Sequence, residues 1–287
     1  MAENTQDVYE DNDYYFKMYN YFTSKSTEDS PNQWIKEWDT IVDLIPNVEM
    51  SDSIYMLAVA TGEGSLERQV IEMIFKHRPR VTLHVDVIEP AIDQINQFKV
   101  KSDEMKAKYP KLTFGWFPLT WDGVRGKQEI NNKKYHLIVC VNGLYYMDDW
   151  AETINQFYNI LASRGVMFIT INSSESGCGN LFKNYASWEG RTTHLLTADN
   201  IIAHLRSTNV PYKRYIRKTT VDISEVFNGN SEGGNMLLDF LVQRKDFRKT
   251  APEKLKKKVF GFIENNSKVV QGKTLITDDE IDLVVIK

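Results

Sequence analysis

The sequence predicts an α/β protein in which a mostly parallel sheet carries helices on both faces, joined to a smaller cap. Three observations predict it. Apolar runs of strand length alternate with amphipathic stretches of helical period between residues 54 and 171. The run Tyr55–Thr61 passes straight into Gly62-Glu63-Gly64-Ser65, a glycine turn between a strand and a helix. The next apolar run ends on an acid, in Val87-Ile88-Glu89-Pro90.

In chain order, an acidic, tyrosine-rich start gives way to helical spacing at Tyr15, Tyr19 and Phe22, a turn at 24–31, and a second amphipathic segment over Trp34–Ile45. Strands are then expected at 54–60, 82–88, 112–117, 135–141 and 165–171, with helices at 65–76, 91–108 and 149–162. Strands separated by helices imply parallel pairing through right-handed crossovers. Later, a Ser/Gly-rich loop precedes a helix near 197–208, Tyr212–Val221 and Met236–Arg244 read as strand or helix, and Asn228–Gly234 reads as a loop. Pro252–Glu264 reads as a helix and Ile281–Ile286 as a closing strand. The expected division is an N-terminal helical cap segment over 1–48, a core over 49–210, and a C-terminal part over 211–287 that completes both sheet and cap.

The bulk numbers exclude several classes. With 287 residues the chain can bury a full core. Its 35 basic and 39 acidic residues leave no electrostatic footprint for nucleic acid. The basic run Lys254–Lys258, with Leu255 and Val259 four apart, reads as the wet face of a helix. Only Cys140 and Cys178 are present, so neither a disulfide framework nor a cysteine-rich metal site is expected. No apolar run approaches the ~20 residues of a membrane span, and the acidic, aromatic N-terminus lacks a basic n-region followed by an apolar stretch. A cytoplasmic monomer is the expected form.

The glycine turn decides the cofactor. Gly62 and Gly64 supply two glycines of G-x-G-x-x-G, but Glu67 stands in the third place, where a pyrophosphate-binding helix wants Gly or Ala. An anionic Glu67 would also repel pyrophosphate, and no Gly-Lys-Ser/Thr follows for ATP. S-adenosylmethionine brings no phosphate, and Glu89, 25 residues after Gly64, suits its ribose hydroxyls. The histidines at 77, 84, 136, 194 and 204 never fall at ligand spacing, so no metal is expected. Methyl transfer needs none, because alignment and desolvation supply most of the acceleration.

Two aromatic groups stay open between pocket and packing. Tyr145 and Tyr146, just beyond the fourth strand, either line a pocket or pack the next helix and face water. Tyr9, Tyr15 and Tyr19 either cage a cation, worth ~0.5–2 kcal/mol per ring face, or form an ordinary helix-packing stripe.

Ser26-Thr27-Glu28, the Val-Ala-Thr-Gly-Glu-Gly turn, Ile88-Glu89-Pro90 with Gln94, Leu144-Tyr145-Tyr146, the loop over Ser173–Tyr185, Asp222-Ile223-Ser224, Asp239-Phe240-Leu241 and Thr250-Ala251-Pro252 recur in order across nearly the whole chain. Together they resemble the histamine N-methyltransferase family. The resemblance implies a class I, Rossmann-like methyltransferase fold with a substrate-binding cap. It also implies S-adenosylmethionine as donor and a small amine as acceptor. On the donor side, Gly62, Gly64, Glu89 and Gln94 match; Thr120 falls near the adenine, Val141 replaces a similar apolar residue, and the family's leading glycines are Ala60 and Thr61 here.

The acceptor side is divergent. Glu28, the family's acidic amine contact, is kept. The family's Gln ahead of Leu-Tyr-Tyr falls at Asn142 or Gly143 depending on alignment, Asn142 being the match if Gly143 replaces a Met. The C-terminal Asn that orients the imidazole aligns with Asp279. Two tryptophans of the family's pocket become Cys178 and Phe182, enlarging it and removing contact at ~25 cal/mol per Å² of uncovered apolar surface. Tyr15, Tyr145, Tyr146, Phe182 and Phe240 are expected to enclose the ring, with Glu28, Asn142 and Asp279 at the reacting end. These changes point to a histamine-like or larger cationic acceptor. The rivals are a family member that binds cofactor or amine without turnover, and a nicotinamide-dependent oxidoreductase disfavoured by Glu67.

Overall fold

The structure is a computed structural model that describes residues 8–27, 53–190 and 196–287. The chain forms two compact units: residues 34–171, 200–215 and 282–287 make a core unit, and residues 1–33, 172–199 and 216–281 make a second unit. The units interleave along the chain. Segments 172–199 and 216–281 leave and rejoin the core because its last strands come from both sides of them.

The core unit is built on a seven-stranded sheet. Its strands are β1 (Ser53–Val59), β2 (Thr82–Ile88), β3 (Leu112–Phe117), β4 (Tyr135–Val141), β5 (Leu161–Asn172), β6 (Tyr212–Arg217) and β10 (Glu280–Ile286), in the order β3-β2-β1-β4-β5-β10-β6. The pairs β1/β2, β1/β4, β2/β3 and β4/β5 are parallel. Between the strands run α2 (Ser65–His77), α3 (Ile92–Lys108), the short α4 (Trp121–Val124) and α5 (Gln128–Asn131), and α6 (Trp150–Ile160). Further along lie α7 (Gly177–Trp188) and α8 (Ala198–Ser207). Because helices cover both faces, the central strands are apolar in succession: Met56, Leu57 and Ala58 are all fully buried. Ile54, Met56, Val70, Ile74, Val85, Phe98, Leu137 and Phe168 share one core.

The expected strands and helices of this unit hold to within a few residues. The strand order reverses between β1 and β4, and the carboxyl ends of those strands form the place where open α/β sheets bind ligands. Two glycine contacts fix the turn there. Gly64 is left-handed at φ 72, and a Cβ on it would lie 2.3 Å from the Phe98 ring of α3. Gly143, just past β4, packs so that a Cβ would lie 2.7 Å from Ala60 Cβ and 2.9 Å from Cys140 Sγ.

The second unit contains α1 (Asn12–Lys25), α7, a three-stranded antiparallel sheet and helices α9 (Glu232–Val242), α10 (Phe247–Thr250) and α11 (Glu253–Asn265). The sheet comprises β7 (Thr220–Asp222), β8 (Ser267–Val270) and β9 (Lys273–Thr277) in the order β7-β9-β8. Asp11 caps α1 by accepting from Tyr14 N at 3.0 Å. Phe22, Cys178, Leu181, Val221, Leu237, Phe247, Ile263 and Ile276 share its core.

Three expectations change here. The loop read over 173–185 is helical from Gly177, capped by the Ser176 hydroxyl accepting from Gly179 N at 3.0 Å. Its glycines serve close packing, since a Cβ on Gly177 would sit 2.5 Å from Ile276 Cγ1. The loop read over 228–234 ends early, because Ser231 caps α9 by accepting from Gly234 N. The hairpin of β8 and β9 was not anticipated. Gln271 and Gly272 make its two-residue turn at φ 51 and φ 78, as a primed hairpin turn requires. Among the described residues, no helix is long and apolar enough to cross a membrane. The amphipathic segment expected over Trp34–Ile45 lies outside the described residues.

Candidate active site in two halves

The donor half lies in the core unit. β1 is followed by Ala60, whose N–H still bonds Ile88 O at 2.9 Å while its backbone turns left-handed at φ 56. Gly62 follows at φ 54 and donates its N–H to Glu89 Oε2 at 2.9 Å. The other carboxylate oxygen accepts from Ala91 N at 2.8 Å. Glu89 is thus pinned by two backbone N–H groups across the first two strand ends, each oxygen keeping acceptor capacity. Burial raises its pKa and the two N–H bonds oppose that.

A Cβ on Gly62 would meet nothing nearer than Gln94 Oε1 at 3.8 Å, so bare backbone borders open space there. That is what a ligand approaching the backbone needs, and an acid beside it suits a ribose. The residues present fit S-adenosylmethionine. Thr120 is exposed and caps α4 by accepting from Gly123 N at 3.2 Å. Val141 closes β4, half-buried against the core. Asn142 is left-handed at φ 49, with its N–H on Thr170 O at 3.0 Å. Leu144–Tyr146 is a single 3-10 turn in which Leu144 is buried, Tyr145 half-buried and Tyr146 48% exposed.

The structure corrects the charge argument about Glu67. It is 3% exposed, and burial pushes its carboxyl up to about 8, so the neutral acid predominates at pH 7. Against pyrophosphate there remains the size of the side chain in the third glycine place, not its charge. A shallow cavity of about 290 Å³ lined by Ser53, Tyr55, Thr82, His84 and Lys133 lies at the amino ends of β1 and β2. That is the opposite edge of the sheet from Gly62 and Glu89, so it is not the donor site.

The acceptor half divides. In the second unit, α1 presents Tyr15, Tyr19 and Phe22 to Phe240 of α9, with ring centroids 6.5, 6.2 and 4.3 Å away. Tyr15 and Tyr19 stack at 6.3 Å. Polar links hold α1 in place: Tyr14 OH donates to Asp239 at 2.7 Å, Lys245 pairs with Asp11 at 2.5 Å, and Tyr21 OH donates to Glu225 at 2.8 Å. Burial raises Asp239 to about 6. Phe182 is half-buried at the edge of the unit's core, whereas Cys178 is fully buried within it. Tyr9 falls in the short 3-10 helix Val8–Glu10, its side chain outside the description, and Glu28 lies outside the described residues.

Asp279 precedes β10 and is 9% exposed. Its Oδ2 accepts from Lys218 Nζ at 2.5 Å, and its Oδ1 is buried with no hydrogen-bond partner among the described residues. The neighbouring Asp278, which the sequence reading passed over, is 2% exposed and raised to about 7 by burial, with Glu280 adding repulsion. It accepts from Asn172 Nδ2 at 3.1 Å and takes the Cys178 thiol proton's hydrogen bond. The signal was in the sequence as three consecutive acids, Asp278-Asp279-Glu280.

Sheet order, the switch-point turn and the strand-end acid define the class: a class I, S-adenosylmethionine-dependent methyltransferase. Residues 41–209, more than half of the chain, match the family model described as a methyltransferase domain, and the chain belongs to that family. Within it, the chain is similar to histamine N-methyltransferase of Danio rerio, 27% identical with 100% of both chains covered. It is also 29% identical to carnosine N-methyltransferase 2 of Gallus gallus over 72% of this chain and 65% of that one. A putative methyltransferase from Bacillus halodurans shares the fold, with a TM-score of 0.51, 16% identity, and coverage of 86% of this chain and 98% of that one.

Proposed function

We propose that the protein transfers a methyl group from S-adenosylmethionine to a nitrogen of a small cationic amine, histamine-like or a larger imidazole relative. The observation that carries the acceptor class is Asp279, a nine-tenths-buried carboxylate with one oxygen left without a hydrogen-bond partner among the described residues. The relatives named for histamine and for carnosine support the imidazole class.

The bound cofactor supplies an electrophilic methyl group. Glu89 takes the ribose hydroxyls on its remaining lone pairs, and the Gly62 and Gly64 backbone admits the amino-acid end. Thr120 and Val141 border the adenine, with Gln94 and Ala60 completing the turn. On the acceptor side, Tyr15, Tyr19 and Phe240 offer ring faces to a cation, Phe182 leaves a wider pocket than a tryptophan would, and Asp279 takes an N–H or ammonium. Asn142, Tyr145 and Tyr146 orient the ring. Glu28 and Tyr9 bind the amine tail. A neutral imidazole nitrogen attacks without prior loss of a proton. A protonated amine must first lose one, and Asp279, or a water it holds, takes that proton.

The test is radiolabelled methyl transfer over a panel of imidazole and alkyl amines, with cofactor affinity measured in parallel. Transfer to at least one cationic imidazole amine is expected. Cofactor binding without transfer to any amine would establish the non-catalytic reading instead. Glu28→Gln is expected to raise the acceptor KM and spare cofactor affinity.

A further inference from the structure

The acids Asp278-Asp279-Glu280 lie opposite Arg217-Lys218-Thr219, and each takes a different partner. Glu280 and Arg217 are an ion pair buried at both ends, at 0% and 3% exposure. Asp278 is held by the Asn172 amide and the Cys178 thiol. Asp279 alone rests on an exposed cation: the Lys218 side chain is 76% exposed and the Asp279 side chain 13%.

An ammonium on a flexible, solvated stem is a weakly held partner, so another cation can replace it at small cost. The buried Oδ1 is different. A buried acceptor left unsatisfied is costly, and one added N–H recovers that cost. Asp279 therefore combines a replaceable cation on one oxygen with an unfilled place on the other.

We infer that Lys218 is a specificity-determining residue, an internal counter-ion that a cationic acceptor displaces from Asp279. The inference rests on the proposed role of Asp279 in acceptor binding. A point cation that only replaces Lys218 exchanges one ion pair for another and gains little. An acceptor that also delivers an N–H to Oδ1 gains outright, so acceptors with two donors are favoured. An uncharged acceptor does not compete with Lys218.

The experiment compares histamine with 4-methylimidazole near pH 8.5, where an imidazole ring is neutral and an alkyl amine charged. In Lys218→Met the ratio of the histamine KM to the 4-methylimidazole KM falls about three- to fivefold, the size of an exposed ion pair. Lys218→Arg keeps the wild-type ratio, and Lys218→Gln repeats the Met result should Met perturb folding. An unchanged or raised ratio in both neutral variants, while Asp279→Asn still raises the histamine KM, overturns the counter-ion role alone. A histamine KM indifferent to Asp279→Asn, or no transfer to either amine, overturns the acceptor reading beneath it.

Discussion

The residues proposed for the donor and those proposed for the acceptor are built from different materials. At the donor half the main chain carries the geometry: left-handed turns at Ala60, Gly62, Gly64 and Asn142, and one carboxylate whose two oxygens are fixed by backbone N–H groups. Among the proposed acceptor residues of the second unit, side chains carry it: ring faces on α1 and α9, and three acids whose partners are a thiol, an amide, an arginine and a lysine. A backbone site tolerates few substitutions and keeps one ligand. A side-chain site can be retuned residue by residue.

Breaking the donor half should show the largest effect. Gly64→Ala must hold an alanine at φ 72 and push the Phe98 ring aside, costing about 1–2 kcal/mol for the left-handed backbone and roughly 1–3 for overpacking. Thermal melting should therefore fall by roughly 4–20 °C.

Second in size is a pH effect. Glu67, raised to about 8 by burial, takes up a proton on folding wherever the pH lies between its unfolded value near 4.5 and that folded value. Its contribution is fully present below pH 4.5 and is lost as pH rises toward 8. The slope is at most about 1.4 kcal/mol per pH unit. Denaturation midpoints followed from pH 5 to 8 should decline in the wild type and decline less steeply in Glu67→Gln, where the raised Asp239 and Asp278 still contribute.

The acceptor half should respond in kinetics and not in stability. Asp279→Asn removes a charge-assisted hydrogen bond, worth ~1.5–3 kcal/mol when made to a charged group, so the KM for a cationic amine should rise ten- to a hundredfold at unchanged cofactor affinity. The smallest effect sharpens the donor side: Ala60→Gly relieves a left-handed alanine at φ 56 but adds unfolded-state entropy. The net change should stay within about 1 kcal/mol, read as a melting shift of a few degrees.

The same division explains what was legible in the sequence. A glycine turn after a strand and an acid ending the next strand are local constraints, so Gly62, Gly64, Glu89 and the parallel core could be read directly. The third glycine place could be read too, but the protonation of Glu67 could not, because it depends on burial that only the folded chain supplies. In the second unit, Gly177 and Gly179 read as loop formers when they are contact glycines inside a helix, packing on residues some 100 positions away in one case and on Ser173 in the other. The Gln271-Gly272 turn between Val269-Val270 and Leu275-Ile276 was a hairpin signal of ordinary strength that went unread. Cys178 was expected to open a pocket by being small; its full burial against Asp278 shows a thiol used in packing and hydrogen bonding. Direction of burial across distant segments is a tertiary property, and no spacing rule encodes it.

The separation of the two halves is tested most directly by crossing Glu89→Ala with Asp279→Asn in one steady-state experiment that varies donor and acceptor independently. Glu89→Ala should raise the S-adenosylmethionine KM at least about tenfold, since it strands the Gly62 and Ala91 N–H groups and removes the ribose acceptor, and leave the acceptor KM near wild type. Asp279→Asn should do the reverse. Both variants raising the donor KM alike, or neither affecting the acceptor KM, would contradict the assignment of donor and acceptor to these two carboxylates.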